Sequence, residues 1–148
     1  MSRDGQAGFT LLEVLLSVTI LALLAGLSLP VYASFQSRND IDLTTQSIAF
    51  ALRRAETYSR AVTGDSQWGV EIQSNAAILF KGAVFAGRDT SFDENIPLSS
   101  TISRSGLSEV VFTKFTAAPS ATGTITLVSG SSNDTRTITI NAKGMVNY

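Results

Sequence analysis

Gly8-Phe9-Thr10-Leu11-Leu12-Glu13-Val14-Leu15-Leu16 decides how this chain is read. It joins a short polar leader to a long apolar run, and no charged residue occurs from Val14 to Ser37. A run of about 20 apolar residues is enough to cross a bilayer as a helix. Glu13 lies just inside it, where a carboxylate costs roughly 2.5–3.5 kcal/mol at the membrane centre and less near the end. Such an acid needs a partner. A secretory signal carries its small-residue cleavage site after the apolar core. Here Gly8 precedes the core, so a cut after Gly8 leaves the helix on the mature chain, with Phe9 as its new amino terminus.

The same residues resemble the class III leader of type IV pilins and type II secretion pseudopilins. The resemblance covers roughly the first 30 residues. It implies that a prepilin peptidase cuts between Gly8 and Phe9 and methylates the Phe9 amine. It makes Glu13 the fifth residue of the mature chain. The leader departs from the family in one respect: Arg3 is offset by Asp4, whereas family leaders are more basic. An unblocked amino terminus still favours a cytoplasmic leader.

The chain has 148 residues and a formal net charge of −1. That balance gives no global electrostatic case for nucleic acid or an anionic membrane. Removing the leader and apolar helix leaves enough chain for one small domain. It contains no cysteine and no histidine. An exported domain without cysteine is held by its core, by subunit packing or by a metal. Lack of histidine removes the commonest general base and the commonest metal ligand.

One long helix is predicted from Phe9 to Val62. Its first half is apolar all round, as a membrane span is. Gly26 and Pro30 interrupt it, and proline removes one hydrogen bond and crowds the preceding turn. They mark either a plain transmembrane kink or a stretch that unwinds when subunits leave the membrane for a filament; the resemblance favours unwinding. After Phe35 the pattern turns amphipathic: Ile41, Ile48, Leu52, Ala55, Tyr58 and Val62 form one stripe. Gly64-Asp65-Ser66 ends the helix.

The rest reads as β structure. Strands are predicted over 68–73 and 76–81 around Ser74-Asn75, over 109–115, 124–128 and 135–140, and over 145–147. The segment 82–97 is less regular, with a short strand near Ala83-Phe85. The fold class is α+β, a long N-terminal helix on a mostly antiparallel sheet. The expected organisation is a leader over 1–8, a transmembrane and assembly helix over 9–35, an amphipathic helix over 36–63 and a β-rich domain over 64–148. Trp68-Gly69-Val70 and the closing Thr137-Ile138-Thr139-Ile140-Asn141-Ala142-Lys143-Gly144-Met145-Val146 also resemble the GspH/FimT branch of minor pseudopilins. Met145 stands where that branch often has arginine.

Glu13 has a physical role in such an assembly. In a filament its carboxylate meets the Phe9 amine of a neighbour, and each charge compensates the other in a poorly hydrated core. Otherwise it lies near the headgroups, or pairs with its own amine. Arg53, Arg54 and Arg60 form a basic patch that either meets DNA, as in some FimT-like pilins, or pairs with acids such as Glu56. Asp89, Asp93 and Glu94 supply loop carboxylates of the kind calcium uses, at a spacing that does not fit an EF-hand. A solvated loop is the simpler reading.

The chain shows no catalytic constellation and no phosphate-cradling loop, so it is not expected to be an enzyme or to carry a cofactor. The leading expectation is a structural subunit, a minor pilin or pseudopilin, of a type II secretion pseudopilus or a type IV pilus. By the resemblance its partners are the prepilin peptidase, other pilin subunits and an inner-membrane assembly platform. It waits in the inner membrane with its C-terminal domain outside the cytoplasm, then enters an extracytoplasmic filament. The alternatives are a FimT-like subunit that takes up DNA, a major pilin, or an anchored domain that never polymerises.

Overall fold

The helix begins at Thr10, whose hydroxyl accepts the Glu13 backbone N–H at 3.2 Å. This satisfies one of the donors left free at a helix start. In the computed structural model, which describes residues 8–148 apart from the side chains of 27–31, 33 and 34, helix α1 runs Leu11–Arg60. Of the expected leader, 1–8, all but Gly8 lies outside the described residues. The Ser17 and Thr19 hydroxyls donate to the Glu13 and Leu15 carbonyls, each at 2.7 Å. Both are thereby bonded within the helix, as an apolar setting requires.

The chain divides into two compact units, Met1–Gln36 and Ser37–Tyr148. Among the described residues no helix is long and apolar enough to cross a membrane. The run expected to do so includes Pro30 and the other residues whose side chains are not described.

Within the second unit, Ile41, Ile48, Leu52 and Ala55 are fully buried, and Tyr58 packs against the same core. Val62 does not continue the stripe. The helix ends at Arg60, and Val62 turns into the left-handed region at φ 55°. That is an unfavourable conformation for a β-branched residue. Two tertiary bonds hold it: Trp68 donates its backbone N–H to Ser59 Oγ at 2.9 Å, and its indole N–H to the Thr63 carbonyl at 2.8 Å. They fix the turn that folds the chain back along the helix.

Eight strands follow: β1 Trp68–Ile72, β2 Ala76–Lys81, β3 Asp89–Pro97, β4 Ile102–Gly106, β5 Glu109–Phe112, β6 Gly123–Ser129, β7 Thr135–Ile140 and β8 Val146–Asn147. They form two four-stranded antiparallel sheets, ordered β3-β2-β1-β5 and β4-β6-β7-β8, where one sheet was expected. Ala83-Phe85 is not a strand; a 3-10 turn occupies Phe85–Gly87. Strand β5 stops at Phe112, because Ala117 N–H bonds back to the Thr113 carbonyl at 3.0 Å and Phe115 turns left-handed.

Val70, Leu79 and Phe112 of the first sheet meet Ile125, Leu127 and Ile138 of the second in one core, together with Ile41, Ile48 and Leu52 of the helix. The other face of the first sheet carries a smaller cluster. Gly69 lies opposite both Phe80 and Val111, and a Cβ at Gly69 would stand 2.7 Å from the Phe80 ring. The chain passes from the second sheet to the first at Gly106, whose φ is 94° and where a Cβ would stand 2.1 Å from the Thr124 carbonyl oxygen. Two residues later the Ser108 carbonyl already accepts the Ile72 N–H at 2.7 Å.

Candidate processing and assembly site

Gly8, Phe9 and Thr10 precede the helix without regular structure and are exposed. A Cβ at Gly8 would meet nothing within 4 Å. The fold therefore does not require glycine at this position. Phe9 is 83% exposed, which leaves the peptide bond between the two residues open to a protease. Gly26 has the same open surroundings as Gly8, although it lies inside α1. A glycine there weakens the helix by about 1 kcal/mol relative to alanine without any packing need.

Glu13 is the third residue of the helix, and its backbone N–H is the one that Thr10 caps. Thr10-Leu11-Leu12-Glu13 has the form of a capping box, Ser/Thr-x-x-Glu. That spacing was legible in the sequence, and its Thr10 half is formed. An acid in the first turn also complements the positive end of the helix dipole. No hydrogen bond or ion pair to the Glu13 carboxylate occurs among the described residues, so its oxygens stay available to a group outside this chain.

Residues 3–29 match the family described as the prokaryotic N-terminal methylation motif. The amino-terminal segment carries that motif, which supports the resemblance to type IV pilins and pseudopilins. The matched region spans Gly8, Phe9, Glu13 and Gly26, and it supports peptidase processing and association with other pilin subunits. No curated protein and no solved structure matches the chain.

The three arginines of the basic patch do not act together. Arg53 donates to the Val146 carbonyl at 2.9 Å, with its guanidinium 5.0 Å from the centre of the Tyr148 ring. Arg54 is bonded to both oxygens of Glu94 and to the Tyr58 hydroxyl. Arg60 pairs with Glu56, one helical turn away, at 2.7 Å. Each charge is directed to a different internal partner, whereas phosphate binding calls for a clustered positive surface.

The three candidate calcium ligands lie on β3, not in a loop. Consecutive side chains of a strand point to opposite faces, so Asp93 and Glu94 diverge. Asp93 is held by Arg88 Nε at 2.8 Å and Glu94 by Arg54. Asp89 accepts from the Ser91 hydroxyl, which holds its carboxyl below the usual range. Among the described residues, no three acidic, histidine or cysteine side chains are grouped to hold a metal ion.

Proposed function

We propose that this chain is a minor pilin or pseudopilin: a structural subunit cut between Gly8 and Phe9 and built into a filament through α1. The observation that carries the reading is the methylation motif over 3–29, joined to a Gly8 that the fold has no need of. Before assembly the apolar segment anchors the precursor in the inner membrane with the β domain outside the cytoplasm. After processing, the methylated Phe9 amine of one subunit meets the Glu13 carboxylate of a neighbour. That pairing selects one axial register, because a displaced subunit leaves both charges uncompensated in a dry core. Motion of the filament comes from an assembly platform and its ATPase. This chain supplies packing surfaces and no chemistry, and it carries no cofactor. The closing strands favour the GspH/FimT branch. Internal pairing of Arg53, Arg54 and Arg60 counts against DNA as its ligand.

The test is processing in cells that contain the peptidase. Wild-type chain is expected to lose its leader and gain a methyl group at Phe9, read by mass spectrometry. Gly8→Val is expected to accumulate as full-length precursor and to stay out of filaments. Normal leader removal in Gly8→Val would overturn the reading.

A further inference from the structure

Ser37 is the first residue of the second compact unit, and its hydroxyl sits at the centre of a group of serines. Ser37 Oγ lies 2.8 Å from Ser129 Oγ, 2.8 Å from Ser131 Oγ and 3.1 Å from Ser132 Oγ. A hydroxyl has one proton to give and two lone pairs to receive, so three neighbours use its full capacity. Both Ser37 and Ser129 are buried, at 8% and 1% exposure. Buried hydroxyls must be bonded, and a network of this kind is geometrically demanding.

All three partners belong to the β6–β7 hairpin, and the grip continues on either side of the serines. Arg38 pairs with Asp134 at 3.6 Å, and Arg136 donates to Asp42 at 2.8 Å. Ser132 in turn donates to Asp134 at 2.9 Å, so the loop is braced from within. The hairpin therefore holds α1 at Ser37, Arg38 and Asp42. One step further along the helix Ile41 is fully buried. On the other side of Ser37 the described residues Tyr32, Phe35 and Gln36 are exposed, and the helix there contains Gly26 and Pro30, the two residues that weaken helices most.

We infer that the β6–β7 hairpin is a clasp that sets where unwinding of α1 must stop. Amino-terminal to Ser37 the Ser17 and Thr19 hydroxyls donate to the helix's own carbonyls, and the segment contains two weak residues. At Ser37 it gains side-chain bonds that are lost as soon as the turn opens. The clasp also fixes rotation: sliding the helix by one residue turns Ser37 by about 100° away from the hairpin. A stop at this point lets the amino-terminal segment extend while the β domain keeps its helix. That use rests on the assembly reading above; the stop itself does not.

The test is amide hydrogen exchange on the full-length chain in detergent micelles, read by mass spectrometry. Ser37→Val and, separately, the loop variant Ser131→Ala/Ser132→Ala are compared with wild type. Both are expected to speed exchange at residues 38–44 about 10-fold, with β1, β2 and β3 unchanged, as local opening does. The chain contains no cysteine, so Ser37→Cys/Ser131→Cys gives one defined cross-link, expected to slow exchange over 38–44 below the wild-type rate. Unchanged exchange over 38–44 in the variants overturns the clasp, as does a uniform loss of protection across the whole β domain or a cross-link without effect. Should Ser37→Val fail to fold, the exposed-loop variant and the cross-link still decide. Leader removal is scored on the same proteins, so a failed processing test and a failed clasp remain separate results.

Discussion

Arg54 and Glu94 join the helix to the edge strand of the first sheet by two parallel hydrogen bonds, Nη1 to Oε1 at 2.5 Å and Nη2 to Oε2 at 2.6 Å. The arginine holds the Glu94 carboxyl below the ordinary carboxylate range. The pair is part-exposed, at 29% and 47% for the two side chains, so water screens it. A contribution of about 0.5–1 kcal/mol is the appropriate scale.

The sign of its pH dependence follows from that direction. A carboxyl with a lowered folded-state pKa stabilises the fold fully above its unfolded value and loses the effect as pH falls through the folded one. Urea unfolding of wild type and Glu94→Gln should therefore differ near neutral pH and converge in acid, once pH falls below the lowered folded-state value. A gap that persists in acid would show that the pair's charge is not its source.

Glu71 should behave in the opposite way. Burial raises its carboxyl pKa, and Glu109, directly across the β1–β5 pair, raises it further; Arg104 opposes both. The folded state then holds its proton at a pH where the unfolded chain has released it. Wild-type stability should fall as pH rises from the ordinary glutamate range through the raised value. Glu71→Gln removes that slope and, at neutral pH, gains about 0.2–1 kcal/mol from the lost like-charge pair. Denaturant titrations at several pH values read both effects.

Gly69→Ala tests the packing of the outer cluster. Its Cβ would stand 2.7 Å from Phe80 and 2.8 Å from Val111. Overpacking of this kind costs about 1–3 kcal/mol, and each kcal/mol lowers the midpoint by roughly 4–8 °C in a domain of this size. Gly26→Ala is the contrast: nothing lies within 4 Å of its added Cβ, so thermal melting of the β domain should not move. Circular dichroism on both variants decides.

One substitution isolates the charge of Glu13. Glutamine can serve at the third helical position of a capping box as glutamate does, but it carries no charge for an amine. Glu13→Gln should keep helix content and leader removal while filaments fail to form. Thr10→Ala should weaken the helix start by about 1 kcal/mol and still assemble. Normal assembly of Glu13→Gln would show that no neighbour needs its charge.

The helix and the hairpins with strong patterns were legible in the sequence. Ala76–Lys81, expected as the second half of a hairpin, and Thr135–Ile140, expected from alternation, came out with the predicted bounds. Strand β3 did not: it lies at the sheet edge with most of its side chains exposed, so it carries charge and polarity in place of alternation. Strand β4, Ile102–Gly106, has one buried residue, Ile102, followed by serine, arginine and glycine. Its own propensity is poor and its partner β6 supplies the order, which a single segment cannot reveal. The end of α1 was misplaced because the bonds that turn Val62 come from Trp68, beyond the helix. At the processing site the motif itself was fully readable, while Ser37 escaped notice because its partners lie more than 90 positions away, at separations of 92, 94 and 95.

Gly106 gives the two sheets a sequence in time. Strands β1, β2 and β3 are neighbours along the chain and can pair as they emerge, whereas β5 must return to β1 from further off, and such non-local closure is slow. Because β4 continues into β5 through Gly106, the docking of β5 carries β4 into place before β6 arrives to pair with it. We expect pulse-labelled refolding to protect the local pairs β1–β2 and β6–β7 before the β4–β6 pair, and a bulky residue at Gly106 to delay β4–β6 alone. Protection of β4–β6 together with the local pairs would remove the order. The edge on which β6 docks is thus one that the first sheet has already placed.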